Sequence, residues 1–307
     1  IRMPLRGIDG PGSSLDLPEF QLALTKAGVL ELTQIPSTPT IASDFYVEVK
    51  VEVGDDPNAI VYVAPDYRIF PEKPYVQNGN VQLVQKKEGL RTPNGQIDAP
   101  AYIFSNLFGI RGVKITLESI SPMALAGGME SSNAFNVALL AMASMLKGAD
   151  WSQADIFAEA VRLENDELGG LTGGQGHLSS MLGGAFRHVW LSGIRDEAGT
   201  QKKYGYAAFS QPFLKPEDYS FIESHAALLQ VGKEYKNGKA VVGRTAELIN
   251  TMWTNLLEDQ DPVGVELHSR KIALAQRYVE ALQAKKMEEV VDIINQYADI
   301  RDDLQKR

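Results

Sequence analysis

Two stretches of this chain combine glycine with oxygen-bearing side chains in a way suited to holding a phosphate. The first is Pro122-Met-Ala-Leu-Ala-Gly-Gly-Met-Glu-Ser-Ser-Asn-Ala134. Gly127 and Gly128 let backbone approach an anion closely, while Ser131 and Ser132 add hydroxyl donors or a metal ligand. The second is Gly169-Gly-Leu-Thr-Gly-Gly-Gln-Gly-His177. An ordinary loop with Ser or Asn as a helix N-cap would also account for the first stretch. Two glycine-rich loops, each tied to a helix, point to a phosphorylated ligand between them.

Other chemistries fit less well. Neither loop is a dinucleotide-binding fingerprint. The run from Gly232 to Lys239 misses a P-loop, because five residues separate its glycines and no Ser or Thr follows the lysine. Ser131 and Ser132 do not sit in a G-x-S-x-G elbow, which speaks against a serine hydrolase. His177, His188, His225 and His268 show no metal-ligand spacing. His188 falls in an expected strand and reads as structural; His177, after the second loop, is the functional candidate among them. Glu164 stands near a helix C-terminus, where a carboxylate is ordinarily exposed.

Positioning these residues requires particular elements. Residues 113–120 alternate as a half-buried strand does, and 134–146 are rich in good helix formers, so the first loop joins a strand to a helix N-terminus. That terminus offers unpaired N–H groups and the positive end of the helix dipole. A second helix is expected over 154–168, capped by Asp150 or Ser152. A short helix at 178–182 and a strand at 183–191 follow it. Earlier, strand-like runs occupy 28–35, 44–53 and 59–64, with a surface connection over 65–96 and a helix at 98–107. The N-terminus starts apolar and becomes a Gly/Pro/Ser loop carrying Arg6, Asp9 and Asp16. The polar stretch 192–204 is the candidate domain boundary. Beyond it come a buried strand at 226–231 and amphipathic helices at 239–258, 264–284 and 286–306, whose charges read as solvated faces.

Composition narrows the partners. The chain has 307 residues, 44% hydrophobic and 22% charged, which suits a globular protein of two domains or one large one. A formal charge of −9 argues against a nucleic-acid surface. With no cysteine, disulfides, thiolate catalysis and Cys-ligated zinc are excluded. No apolar run is long enough to span a bilayer and the N-terminus lacks a signal-peptide pattern, so a cytoplasmic protein with a small-molecule partner is expected. Exposed helical faces in the C-terminal part would allow a homodimer.

In this order the motifs resemble the GHMP small-molecule kinases. Pro4-Leu-Arg6 precedes a glycine-rich loop and Asp16. Gly-Met-Glu-Ser-Ser-Asn-Ala134 stands where the family has Gly-Leu-Gly-Ser-Ser-x-Ala. Glu164, Gly173-Gly-Gln-Gly-His177 and Gly183-Gly184 are similar to the E…GG-x-Q-D…GG pattern of the sugar-kinase branch, which includes heptose-phosphate kinases and fucokinases. Tyr297-Ala-Asp-Ile-Arg301 is similar to that branch's C-terminal part. The resemblance implies a two-domain α+β fold: residues 1–194 similar to the ribosomal-protein S5 fold and binding nucleotide, and 195–307 ferredoxin-like. It implies ATP and Mg²⁺ between the domains and phosphate transfer to a hydroxyl of a sugar or sugar phosphate. Gly127, Gly128, Glu130, Ser131, Ser132 and Asn133 would line the nucleotide phosphates, and Ser132 and Glu164 would hold Mg²⁺. Arg6 would support the reacting hydroxyl or the transferred phosphoryl group. Asp16, carried over with Arg6 as a catalytic residue, would with Gly173, Gly174, Gln175 and His177 also bind the acceptor.

The departures are specific. Glu130 replaces the family's middle loop glycine, and a carboxylate there repels ATP unless it points away or meets the metal. Gly176 stands where the catalytic aspartate follows the glutamine. The family's last glycine-rich motif is expected after the Arg301 helix, and the residues up to Arg307 do not contain it; a shortened sequence and real loss would both account for that. The alternative reading is a degenerate GHMP-fold protein that binds a nucleotide, sugar or protein partner without turnover.

Overall fold

The computed structural model describes residues 1–12, 15–17, 20, 21, 24, 27, 28, 37–63, 75–78, 99–119, 131–167, 172–191, 207–227, 235, 236, 239, 240 and 261–306. Gly127, Gly128, Glu130, the polar boundary at 192–204 and most of the expected elements at 28–35, 65–96, 226–231 and 239–258 lie outside the described residues. The chain forms two compact units. The first comprises Ile1–Gly7, Ala42–Thr172 and Gly176–Gly183, and the second Ile8–Ile41, Gly173–Gln175 and Gly184–Arg307.

Strands β1 (Arg2–Asp9) and β2 (Ser37–Val53) are paired and run through both units. In the first unit, β3 (Ala59–Val63), β4 (Tyr75–Asn78) and β5 (Val113–Ser119) complete a sheet in the order β4-β3-β5-β2. β3 and β5 are parallel; the β3–β4 and β2–β5 pairs are antiparallel. The alternation in β2 explains its placement. Val47 and Val49 face the core, while Lys50 faces outward and meets Glu118 on β5 at 2.6 Å. Such exposed pairs contribute at most about 1 kcal/mol each, so the sheet is held by its apolar face.

That face packs on helix α1 (Ser131–Lys147): Ala134, Val137, Ala138 and Leu140 share one core with Leu5, Ile60, Ile115 and Leu117. Gly148, in the left-handed conformation with φ 65°, terminates the helix. Helix α2 (Gln153–Arg162) starts at Ser152, which forms a reciprocal capping box with Asp155. A π-helical turn, Leu163–Glu167, extends α2, and α3 (Gln175–Leu182) follows the second glycine loop.

In the second unit the Ser37–Ile41 end of β2 pairs with β6 (Ala185–Leu191), which pairs with β7 (Ala207–Pro212), all antiparallel. Helix α4 (Tyr219–Glu223) and the antiparallel hairpin of α5 (Pro262–Gln283) and α6 (Met287–Gln305) complete the core through Leu274, Tyr278, Leu282, Ile293 and Ile300. His188 on β6 lies between Thr40 Oγ1 and Ser210 Oγ, each at 2.9 Å, and burial lowers its pKa to about 3. It is a neutral residue joining three strands, as its place in the sequence implied.

Several expected elements are corrected. The N-terminal loop begins only at Gly10, because β1 continues to Asp9. β2 starts seven residues before position 44 and contains Pro39, a residue that argues against a strand. The helix expected from 239 does not start there, because Lys239–Ala240 (β9) pairs with Tyr235–Lys236 (β8). β7 and α4 were not expected. Among the described residues no helix is long and apolar enough to cross a membrane.

Candidate active site

The head of α1 carries Ser131, Ser132 and Asn133 in its first turn. From there a polar cluster extends through the first unit. Ser132 Oγ donates to Asn133 Oδ1 at 3.1 Å and lies 3.5 Å from Glu164 Oε1. Asn133 Nδ2 is 3.3 Å from Thr172 Oγ1 and 3.2 Å from His177 Nδ1. With its oxygen taken by Ser132, the Asn133 amide presents N–H to the ring, so His177 Nδ1 accepts and its proton resides on Nε2. His177 Nε2 lies 3.2 Å from Glu164 Oε2. Their geometry does not form a hydrogen bond, and Glu164 Oε2 is buried without a hydrogen-bonding partner.

Local structure explains why Glu164 is buried rather than exposed as a residue near a helix end ordinarily is. The widened π-helical turn alters the spacing after α2 and brings both Leu163 and Glu164 inside. Arg162 fixes that turn, with Nη1 2.8 Å from Glu167 Oε1 and its other nitrogens 2.7 and 2.8 Å from the Glu159 carboxylate. The Glu159 pairing is the largest influence holding the guanidinium charged. Asn165 clamps the far side of the cluster. Its Oδ1 accepts from the Thr172 N–H at 2.9 Å and its Nδ2 donates to Thr172 O at 3.1 Å. Asn165 and Thr172 thus belong to the cluster, and neither carries a sequence signal of its own.

These oxygens suit a small hard cation. Two oxygens 3.5 Å apart can each lie about 2.1 Å from one Mg²⁺, and Glu164 Oε2 is a buried acceptor without a hydrogen bond. Among the described residues no three His, Asp or Glu side chains are grouped to hold a metal. An ion here would therefore need oxygens from elsewhere, which matches the habit of Mg²⁺ to combine one or two protein ligands with phosphate and water.

The second unit holds a separate group. Asp16, 3% exposed, accepts from the Gln175 N–H through Oδ2 at 3.1 Å. Gly173 lies directly over the carboxylate, where any Cβ would overlap it. Gln175 Oε1 is buried without a hydrogen-bonding partner. Lys271 of α5 is also buried here: Asp16 and Asp9 attract its ammonium and Arg301 repels it. Burial is the chief cause that lowers its pKa to about 7. Charges on an amphipathic helix are ordinarily solvated. Lys271 is the exception, and its signal was its place between Leu267 and Ala275 on the apolar face.

The sequence candidates thus divide. Ser132, Asn133, Glu164 and His177 come together in the first unit, so His177 joins the expected metal ligands. Asp16, Gly173 and Gln175 come together in the second, with Gly174 between the last two in the chain. Arg6 lies on β1 with a partly buried side chain. Gly176, in the first turn of α3, brings no side chain.

No family model matches the sequence, and no curated protein matches it. Solved structures do. A D-glycero-D-manno-heptose 1-phosphate kinase from Bacteriodes thetaiotaomicron is similar with a TM-score of 0.60 at 13% identity, covering 98% of this chain and 78% of that one. The chain has the GHMP kinase fold. Galactokinase of Lactococcus lactis, complexed with galactose, is similar with a TM-score of 0.56 at 12% identity, covering 99% of this chain and 75% of that one. Phosphomevalonate kinase of Streptococcus pneumoniae, in complex with phosphomevalonate and AMPPNP, gives 0.54 at 10% identity over 99% and 80%. The GHMP kinase fold is therefore common to proteins acting on different small molecules, and the α+β class expected from the motifs stands.

Proposed function

We propose that this chain is an ATP-dependent kinase that transfers the γ-phosphate to a hydroxyl of a sugar or sugar phosphate. The observation that carries the reading is Ser132 Oγ set 3.5 Å from the buried Glu164 carboxylate at the head of α1. Ser132 and Glu164 would hold Mg²⁺, which when bound supplies charge neutralisation for the phosphates. The first-turn N–H groups of α1, at Ser131, Ser132 and Asn133, would face the phosphates. Gly127, Gly128 and Glu130 remain candidates for the rest of that cradle. Asp16 and the Gly173–Gln175 backbone would orient the acceptor, and Arg6 would support the hydroxyl or the phosphoryl group in flight. His177 would steady Glu164. Phosphoryl transfer depends mainly on positioning and electrostatics, so this assignment is chemically adequate without an aspartate at position 176.

A second reading, a binding protein without turnover, is favoured by Gly176, which leaves the first turn of α3 without the family's aspartate. Release of ADP across a panel of sugars and sugar phosphates, with Mg·ATP supplied, separates the two. Acceptor-dependent release supports the kinase. Mg·ATP binding with no release on any acceptor supports the binding protein.

A further inference from the structure

Helix α5 turns a charged side chain into the core of the second unit. Lys271 is 2% exposed, on the buried face formed by Leu267, His268, Leu274, Ala275 and Tyr278. Described residues that follow β1 lie against that face. A Cβ at Gly10 would lie 2.9 Å from the Tyr278 ring, and one at Gly12 would lie 3.5 Å from Ala275 Cβ. Further along, the Phe20 ring is centred 5.2 Å from that of His268. Between these contacts Asp16 exerts its attraction on Lys271, and the same carboxylate accepts from the Gln175 N–H.

We propose that Lys271 is a positioning residue for the acceptor-binding group of the second unit, its ammonium seating Asp16 beneath the Gly173–Gln175 backbone. The word acceptor rests on the kinase reading; the seat itself is a property of the second unit. A lysine is rarely buried unless it is paired, and neither the apolar packing of α5 nor phosphate binding in the first unit requires one here. Burial brings its loss of a proton close to neutrality. The seat is therefore firm in mildly acidic solution and weakens as pH rises through about 7. Among the described residues, Asp16 and Asp9 attract the ammonium and Arg301 repels it. His268, one turn earlier, is kept neutral by burial and by Lys271 itself. Burial, aided by Asp9, raises the Tyr278 phenol and keeps it neutral as well.

The test uses NMR of the full chain labelled with [¹³C]lysine, together with amide hydrogen exchange. One lysine Cε resonance should titrate with a midpoint near 7, and it should be absent from K271R. In Asp16→Asn the midpoint should fall by about half a unit or more, because an attracting charge has gone. Amide exchange of Gly173–Gln175, corrected for the intrinsic rate, should accelerate several-fold across the same midpoint in the wild type. In K271R, whose guanidinium keeps its charge, it should not. Absence of any lysine midpoint below about 9, or an unchanged midpoint in Asp16→Asn, overturns the proposal. Loop exchange indifferent to the midpoint also overturns it. The wild-type titration stands even if a variant fails to fold. None of these measurements needs nucleotide, so a chain that titrates as described yet ignores Mg·ATP would lose the kinase reading and keep the seat.

Discussion

His177 Nε2 lies 3.2 Å from Glu164 Oε2, with both side chains almost closed to solvent. Asn133 fixes the ring by presenting N–H to Nδ1, so the imidazole turns its own N–H side toward the carboxylate. Glu164→Gln keeps the shape and removes the charge. We expect its affinity for Mn²⁺, titrated by EPR in the presence of a non-hydrolysable ATP analogue, to fall by at least about 10–100-fold. His177→Ala should lower the same affinity and destabilise the fold by about 1–3 kcal/mol, because Asn133 loses a buried partner. Unchanged Mn²⁺ affinity in Glu164→Gln would remove this carboxylate from the proposed metal site.

Gly173 and Asp16 are coupled by shape. A methyl group at position 173 cannot coexist with the present Asp16 carboxylate. Gly173→Ala should cost about 1–3 kcal/mol in urea unfolding. In an Asp16→Ala background the same substitution should cost less, by about 1 kcal/mol or more. Additive losses would show that the overlap relaxes without strain.

Lys271 gives stability a pH dependence of known sign. In the unfolded chain a lysine keeps its proton to about 10.5, and in the folded chain Lys271 keeps it only to about 7. Between those values the unfolded state binds more protons, so this residue's contribution to unfolding free energy rises with pH, by at most about 1.4 kcal/mol per unit. Urea midpoints should therefore increasingly favour the wild type over Lys271→Met as pH climbs above 7. A difference independent of pH contradicts the depressed lysine. Stability and the seating of Asp16 thus move in opposite directions, which a purely structural lysine would not produce.

Much of the frame was legible because it rests on local chemistry. The N-cap of α2, narrowed to Asp150 or Ser152, the 3.6-residue pattern of α5 and α6, and the glycine-rich stretch before α3 are all written in adjacent residues. What escaped depends on distant partners. Pro39 sits inside β2 because its carbonyl serves Gly10 and its strand pairs with β6, facts no window around residue 39 contains. Glu164 is buried because a π-helical turn and the Arg162 clamp redirect it. Lys271 was hidden by the rule that helix charges are solvated, which fails where another segment of the chain brings carboxylates to the apolar face.

The central claim is that Ser132 and Glu164 serve a Mg-bound nucleotide. Thermal unfolding with and without Mg·ATP tests it most directly. A ligand present at about 100 times its Kd stabilises by about 2.7 kcal/mol. At about 2–4 °C per kcal/mol for a chain of this class, that is a rise in Tm of several degrees. The account predicts such a rise in the wild type, dependent on Mg²⁺ and absent from Glu164→Gln. No rise at millimolar Mg·ATP in the wild type would contradict it.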